Sequence, residues 1–119
     1  MSDWWQWSPI KANQKLGFAV VGIGRFGSAV CRELLRNGAD VLAVDSSEKA
    51  IEELRQLEPT IEARVVDSTD EESMKEAGVL EMGTVVVGIS EPIEASITTT
   101  LIAKDTEGSL VKQVIARAT

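Results

Sequence analysis

The chain has 119 residues, 44% of them hydrophobic, and its 19 acidic against 12 basic side chains give a formal net charge of −7. That length sets one domain able to bury roughly two-thirds of its unfolded surface, and that charge repels nucleic acid, which removes DNA and RNA from the expected partners. With no histidine and Cys31 as its one cysteine, the sequence lacks the usual general base near neutral pH and any internal disulfide framework, in keeping with a reducing compartment.

No apolar run approaches the ~20 residues needed to cross a bilayer. No basic-then-apolar signal pattern opens the chain. The expectation is a soluble, cytoplasmic domain whose partner can still be a membrane protein. Residues 1–14 read as an N-terminal arm without periodicity, carrying Trp4, Trp5, Trp7 and Pro9. The arm either folds back on its own domain or offers its indoles to a partner or a membrane interface.

The domain occupies residues 15–119. Leu16 to Val21 is a continuous apolar run, as a central parallel strand requires. Ser28 to Asn37 has helical periodicity, with Ala29, Val30, Cys31, Leu34 and Leu35 inward, and Asn37-Gly38 suits a left-handed end. Asp40 to Val44 is a second strand. Ser46 and Ser47 are candidate caps for a second helix with Ala50, Ile51, Leu54 and Leu57 inward, stopped by Pro59. Ile61 to Val66 alternates apolar and charged residues and reads as an edge strand. Thr69 and Glu72 match a capping box for a short helix ending at Gly78. Thr84 to Ile89 is uniformly apolar and central. A long helix follows Pro92, with Ile93, Ile97, Leu101 and Thr100 expected inward, and Leu110 to Ala116 is a fifth strand.

This alternation predicts an α/β fold, a Rossmann-like doubly wound parallel sheet of strand order 3-2-1-4-5, with the sixth strand of the two-half fold absent from this chain. The first strand runs straight into Gly22-Ile23-Gly24-Arg25-Phe26-Gly27, and Asp45 stands 18 residues past Gly27 at the end of the second strand. Strand, glycine turn, helix, strand and acid form the dinucleotide-binding fingerprint. Gly22 permits the sharp turn, Gly24 lets a pyrophosphate approach the backbone, and Gly27 lets the helix pack close to the strand. The first amides of the helix attract a phosphate. Asp45 suits a ribose diol and disfavours the 2′-phosphate of NADP.

Other strand ends face the same crevice. Asp67 can read the adenine edge or only cap the next helix. Ile89-Ser90 can meet a ribose or phosphate or form a plain turn. Arg117 can pair with a phosphate or stay exposed. Arg25, next to the second glycine, adds charge that suits the terminal phosphates of ADP or ATP, or is simply an exposed arginine.

The stretches Phe18 to Ser28 and Val41 to Asp45 resemble the start of the RCK (KTN, TrkA-N) domain of Ktr/Trk regulatory subunits. Val66-Asp67-Ser68-Thr69-Asp70-Glu71 is similar to the family's Gly-Asp-Ala-Thr turn. Val86 to Ser90, with Ile93-Glu94-Ala95-Ser96, resembles its fourth strand and following helix. The resemblance covers about residues 16–117. It implies a non-enzymatic, cytosolic gating subunit on an integral-membrane potassium-translocating protein. It further implies homodimers, often in octameric rings, whose geometry responds to ATP, ADP or NAD(H). By position it places Gly22, Gly24 and Gly27 in the phosphate loop, Arg25 facing the phosphates, Asp45 at the ribose, and Asp67 with Ser68 on the adenine side, with Phe26 and Ser46 also expected in the nucleotide site. Val66 departs from the family glycine, and the family's C-terminal lobe is not in this chain. The rival function is the NAD-binding half of an oxidoreductase. A nucleotide-sensing transcription regulator is a third, for which no basic DNA-binding element is present.

Overall fold

A computed structural model describes residues 17–89 and 91–116. Five parallel strands form one sheet in the order β3-β2-β1-β4-β5, the order the crossovers predict. β1 (Phe18–Val21) and β4 (Thr84–Val87) are central and buried throughout. β2 (Val41–Asp45) pairs with β1 and with β3 (Glu62–Val65). β3 is an edge whose Ala63 alone is buried. β5 (Gln113–Ala116) pairs with β4 at the other edge and is at most half-buried.

Because successive side chains alternate across a strand, each strand feeds two cores. On one face Phe18, Val20, Val41, Ala43 and Val86 pack under α1 (Arg25–Arg36) and α2 (Glu48–Leu57), which contribute Cys31, Leu34, Ile51 and Leu54. On the other, Ala19, Val21, Leu42, Val44, Val85 and Val87 pack under α3 (Glu71–Ala77), a 3-10 turn at Val79–Glu81, and α4 (Ile93–Asp105). At about 25 cal/mol per Å² of buried apolar surface, these two layers supply the main favourable term for folding.

Several elements depart from the sequence expectation. α1 begins at Arg25 rather than Ser28, inside the glycine motif, with Gly24 as its N-cap residue. The cap of α3 is Asp70, which accepts the Ser73 N–H at 3.1 Å, and not Thr69. Thr69 instead donates to Asp67. Ser47 alone caps α2, accepting the Ala50 N–H at 3.1 Å. Ala29 and Leu57 lie outside their helices' buried stripes, and Leu57 is 55% exposed.

The largest difference is α4. Ile93, Ile97 and Leu101 point outward, 53–59% exposed, and its buried residues are Thr99 and Ala103. Ile102 is partly buried against the second core, while Ile93, Ile97 and Leu101 form an outer ridge. Trp4, Trp5, Trp7 and the rest of the expected arm lie outside the described residues.

Candidate functional site

The described strand ends converge on one cavity of about 290 Å³. Its walls come from four places at the carboxyl ends of the strands: Val21 to Gly24 after β1, Asp45 and Ser46 after β2, Asp67 to Thr69 after β3, and Gly88, Ile89, Glu91, Pro92 and Ala95 after β4. β1 has β2 on one side and β4 on the other, so the cavity lies at the topological switch point, where doubly wound sheets bind ligands.

The glycine turn is built from backbone contacts. Gly22 has φ +96°, a left-handed value that side chains disfavour. Its N–H donates to the Val44 carbonyl at 2.9 Å. Gly27 faces the Gly22 carbonyl so closely that a Cβ at 27 would run into that oxygen. Gly88 closes the same contact from β4: its N–H donates to the Val21 carbonyl at 2.7 Å, and a Cβ there would lie 2.9 Å from the Gly22 oxygen. Gly24 differs. Among the described residues, a Cβ at 24 would meet no atom within 4 Å beyond its chain neighbours, so packing among them does not require glycine there. A bare backbone at the lip of a cavity, opening a helix, is the feature that admits a phosphate.

The helix starts are charged accordingly. α2 and α3 have side-chain caps and acids in their first turns, Glu48 and Glu71 with Glu72. α1 has neither a side-chain cap nor an acid in its first turn. Its N-terminal partial positive charge is therefore not neutralised by its own side chains, and Arg25 adds a full one.

Asp45 ties the turn to the second strand. One carboxylate oxygen accepts the Ile23 N–H at 2.6 Å and the other accepts the Ser47 N–H at 2.8 Å. Each oxygen keeps a further lone pair able to accept from a hydroxyl. Across the cavity, one Asp67 oxygen accepts both the Thr69 hydroxyl at 2.6 Å and the Thr69 N–H at 3.0 Å. The hydroxyl first, then the amide, holds the Asp67 carboxyl below its ordinary pKa. With Asp45, Asp67 and Glu91 on its walls and no Lys or Arg among the described lining residues, the described part of the cavity is anionic away from the α1 terminus. A ligand with hydroxyl or amino donors at one end and phosphate at the other fits that polarity. An inorganic anion alone does not.

Of the expected site residues, Gly22, Gly24, Asp45, Ser46, Asp67, Ser68 and Ile89 line the cavity. Gly27 and Phe26 sit behind it, Phe26 half-buried against the first core. Arg25 is exposed at the start of α1 and is not a lining residue. Ser90 and Arg117 lie outside the described residues. Val66, in place of the family glycine, is buried in the second core, with its N–H bonded to the Asp45 carbonyl at 2.9 Å. Gly88, Thr69, Glu91, Pro92 and Ala95 were not anticipated as cavity residues. Gly88 had a signal, a glycine ending the most apolar strand. Ala95 had none beyond its small size in the first turn of a helix.

The TrkA-N domain family matches residues 18–119. The chain belongs to that family. It is 42% identical over 91 residues to Ktr system potassium uptake protein C of Bacillus subtilis, covering 76% of this chain and 40% of that protein. It is also 42% identical over 88 residues to Ktr system potassium uptake protein A of Vibrio alginolyticus, covering 74% and 39%. The chain thus spans about two-fifths of the length of these relatives. Among solved structures, it is similar to the TrkA-N domain of the inner membrane protein ybaL from Escherichia coli, with a TM-score of 0.71 and 26% identity over 86% of this chain and 72% of that one. The NAD(P)-binding domain of an exopolyphosphatase-related protein from Archaeoglobus fulgidus gives the same TM-score and identity over 87% and 74%. A UDP-glucose 4-epimerase from Thermotoga maritima, at 22% identity, shares the fold alone. No helix among the described residues is long and apolar enough to cross a membrane.

Proposed function

We propose that this TrkA-N domain is the nucleotide-sensing lobe of a regulatory subunit of a potassium uptake system. It binds an adenine nucleotide, ATP/ADP or NAD(H), in the switch-point cavity and catalyses no reaction. The observation that carries the reading is the pairing of a backbone cradle at Gly24, on an uncapped helix start, with the Asp45 carboxylate bonded to the Ile23 amide of the same turn. The Ktr relatives supply the context: their names describe potassium uptake.

In this reading phosphates lie on the first amides of α1, within reach of Arg25, and the ribose diol lies on Asp45 and Ser46. The base lies toward Asp67 and Ser68. The subunit acts at the cytoplasmic face on an integral-membrane potassium-translocating protein. It works as a homodimer or a ring of dimers, and two dimer geometries differ in nucleotide affinity, so ligand exchange shifts their populations. The α4 ridge of Ile93, Ile97 and Leu101 is a face on which a second copy can pack. Antiparallel pairing there brings Glu94 at the start of one helix toward Lys104 at the end of the other.

Titration calorimetry with ATP, ADP, NADH and NAD tests the reading. Micromolar binding of ATP or ADP, weakened by Arg25→Ala more than NADH binding is, supports a phosphate-sensing switch. NADH binding tighter than both favours redox sensing or the cofactor half of an oxidoreductase. Binding of none of them removes the nucleotide reading.

A further inference from the structure

Three polar residues among those described are buried, Ser68, Thr84 and Thr99, and two of these meet each other. The fully buried Thr99 hydroxyl donates toward Ser68, 2.8 Å from its Oγ and 3.2 Å from its carbonyl oxygen. Ser68 is a wall of the cavity. Thr99 is not, but Ala95, one turn earlier on the same side of α4, is. Helix α4 therefore touches the cavity twice, directly through Ala95 and indirectly through the Thr99–Ser68 bond.

The two ends of this link differ in stiffness. The turn carrying Ser68 is internally tied, because Asp67 holds both the amide and the hydroxyl of Thr69, so residues 67–69 move together. The inner face of α4 is held mainly by small residues: its buried residues are Thr99 and Ala103, with Ile102 partly buried against the second core. Apolar packing is non-directional, whereas a buried hydrogen bond is satisfied in only one register of helix against turn.

We propose that Thr99 is a positioning residue of the cavity, coupling through Ser68 the occupancy of the Asp67–Thr69 wall to the placement of α4. This rests on the nucleotide reading above and extends it from the ligand to the helix that responds. A base lying against Ser68 stiffens the turn, the turn fixes Thr99, and α4 carries the change to its exposed ridge.

The test compares the chain with its Thr99→Val and Thr99→Ser variants. Calorimetry with ATP, ADP and NADH, each added separately, is combined with hydrogen exchange of the α4 amides with and without nucleotide, and with thermal unfolding of the free chain. Thr99→Val keeps the shape and removes the hydroxyl. It is expected to weaken nucleotide binding about five- to tenfold, the size of one buried hydrogen bond. It should also abolish the extra protection that nucleotide confers on α4, and Thr99→Ser should restore both. Should Thr99→Val fail to fold, Ser68→Ala removes the hydroxyl from the other end and is held to the same two readouts.

A Thr99→Val variant with wild-type affinity and nucleotide-dependent protection of α4 overturns the coupling, however far its melting temperature has fallen. So does a wild-type chain that binds nucleotide without any change in α4 exchange. A wild-type chain that binds none of the three overturns the nucleotide reading and the coupling together.

Discussion

The carboxylate of Asp45 accepts the backbone N–H of Ile23 at 2.6 Å, across 22 residues of sequence. The acid at the end of β2 therefore shapes the glycine turn as well as facing the cavity. Asp45→Ala deprives the Ile23 and Ser47 amides of their acceptor and should lower stability by about 1–3 kcal/mol. It should weaken every ribose-bearing nucleotide about ten- to a hundredfold. Asn in its place retains one carbonyl acceptor, so the stability loss should be smaller. Urea unfolding and calorimetry on the two variants separate the structural part from the binding part. Unchanged affinity in Asp45→Ala removes Asp45 from the ligand.

Gly24 and Gly27 should answer the same substitution in opposite ways. Alanine at 27 drives a methyl into the Gly22 carbonyl, and a loss of about 2 kcal/mol or more is expected. Alanine at 24 meets no atom of the described residues beyond its chain neighbours, and Gly24 has φ −95°, which any residue can adopt. Its stability should stay within about 0.5–1 kcal/mol of the parent. Nucleotide affinity should still fall at least about tenfold, because the methyl displaces a phosphate from the backbone amides. A Gly24→Ala chain that binds normally would show that nothing charged lies on that lip.

Much of the architecture could be read from the residues, and the reasons are local. Uninterrupted apolar runs at β1 and β4 announced buried central strands, and the charge alternation at Glu62 and Arg64 announced an edge. The glycine motif placed the crevice. Helix α4 could not be read the same way. Periodicity finds the apolar stripe of a helix, and here the stripe of Ile93, Ile97 and Leu101 is on the outside, while Thr99 and Ala103 face the sheet. Hydropathy gives little weight to a threonine whose hydroxyl is satisfied by a serine 31 residues away. Ala95 escaped for a related reason: its contribution is the absence of bulk, which no pattern of side chains reports.

The exposed ridge gives the proposed dimer a direct test. Ile97→Glu places a charge at the centre of Ile93, Ile97 and Leu101, at a site already 53% exposed. Folding of the single chain should change by no more than about 0.5 kcal/mol. Sedimentation analysis should show the dimer shifted to monomer. A variant that remains dimeric places the interface elsewhere.

Cys31 should be silent as a nucleophile. Burial first, and the Glu58 carboxylate second, push its thiol from 9.0 to about 12. The folded protein should resist a thiol-specific disulfide reagent near neutral pH and react once denatured. The raised value also favours the folded state only while the thiol keeps its proton. That contribution is whole below about pH 9 and is lost as pH climbs toward about 12. Denaturation curves of the parent and of Cys31→Ala should therefore converge in that window.

Asp67 titrates the other way. Its lowered pKa comes mainly from the Thr69 hydroxyl, so Thr69→Ala should raise it toward the ordinary carboxylate value, as followed by carbon NMR of the side chain. The bond favours the folded form above that ordinary value and fades as acid protonates the carboxylate. An unmoved titration in Thr69→Ala would mean that the hydroxyl does not hold the charge.

The meeting of Gly22, Gly27 and Gly88 has a mechanical consequence. These three residues touch through main-chain atoms, which have no alternative rotamers and no slack to take up. A wall already fixed in this way needs no ordering of the loop for a ligand to bind. Opposite it stand Ala95, Ser68 and, behind them, Thr99, joined by a single hydroxyl contact. In the coupling proposed above, the glycine side is the fixed jaw of a clamp and the Ser68–Thr99 side the sprung one, attached to a helix whose Ile93, Ile97 and Leu101 are exposed.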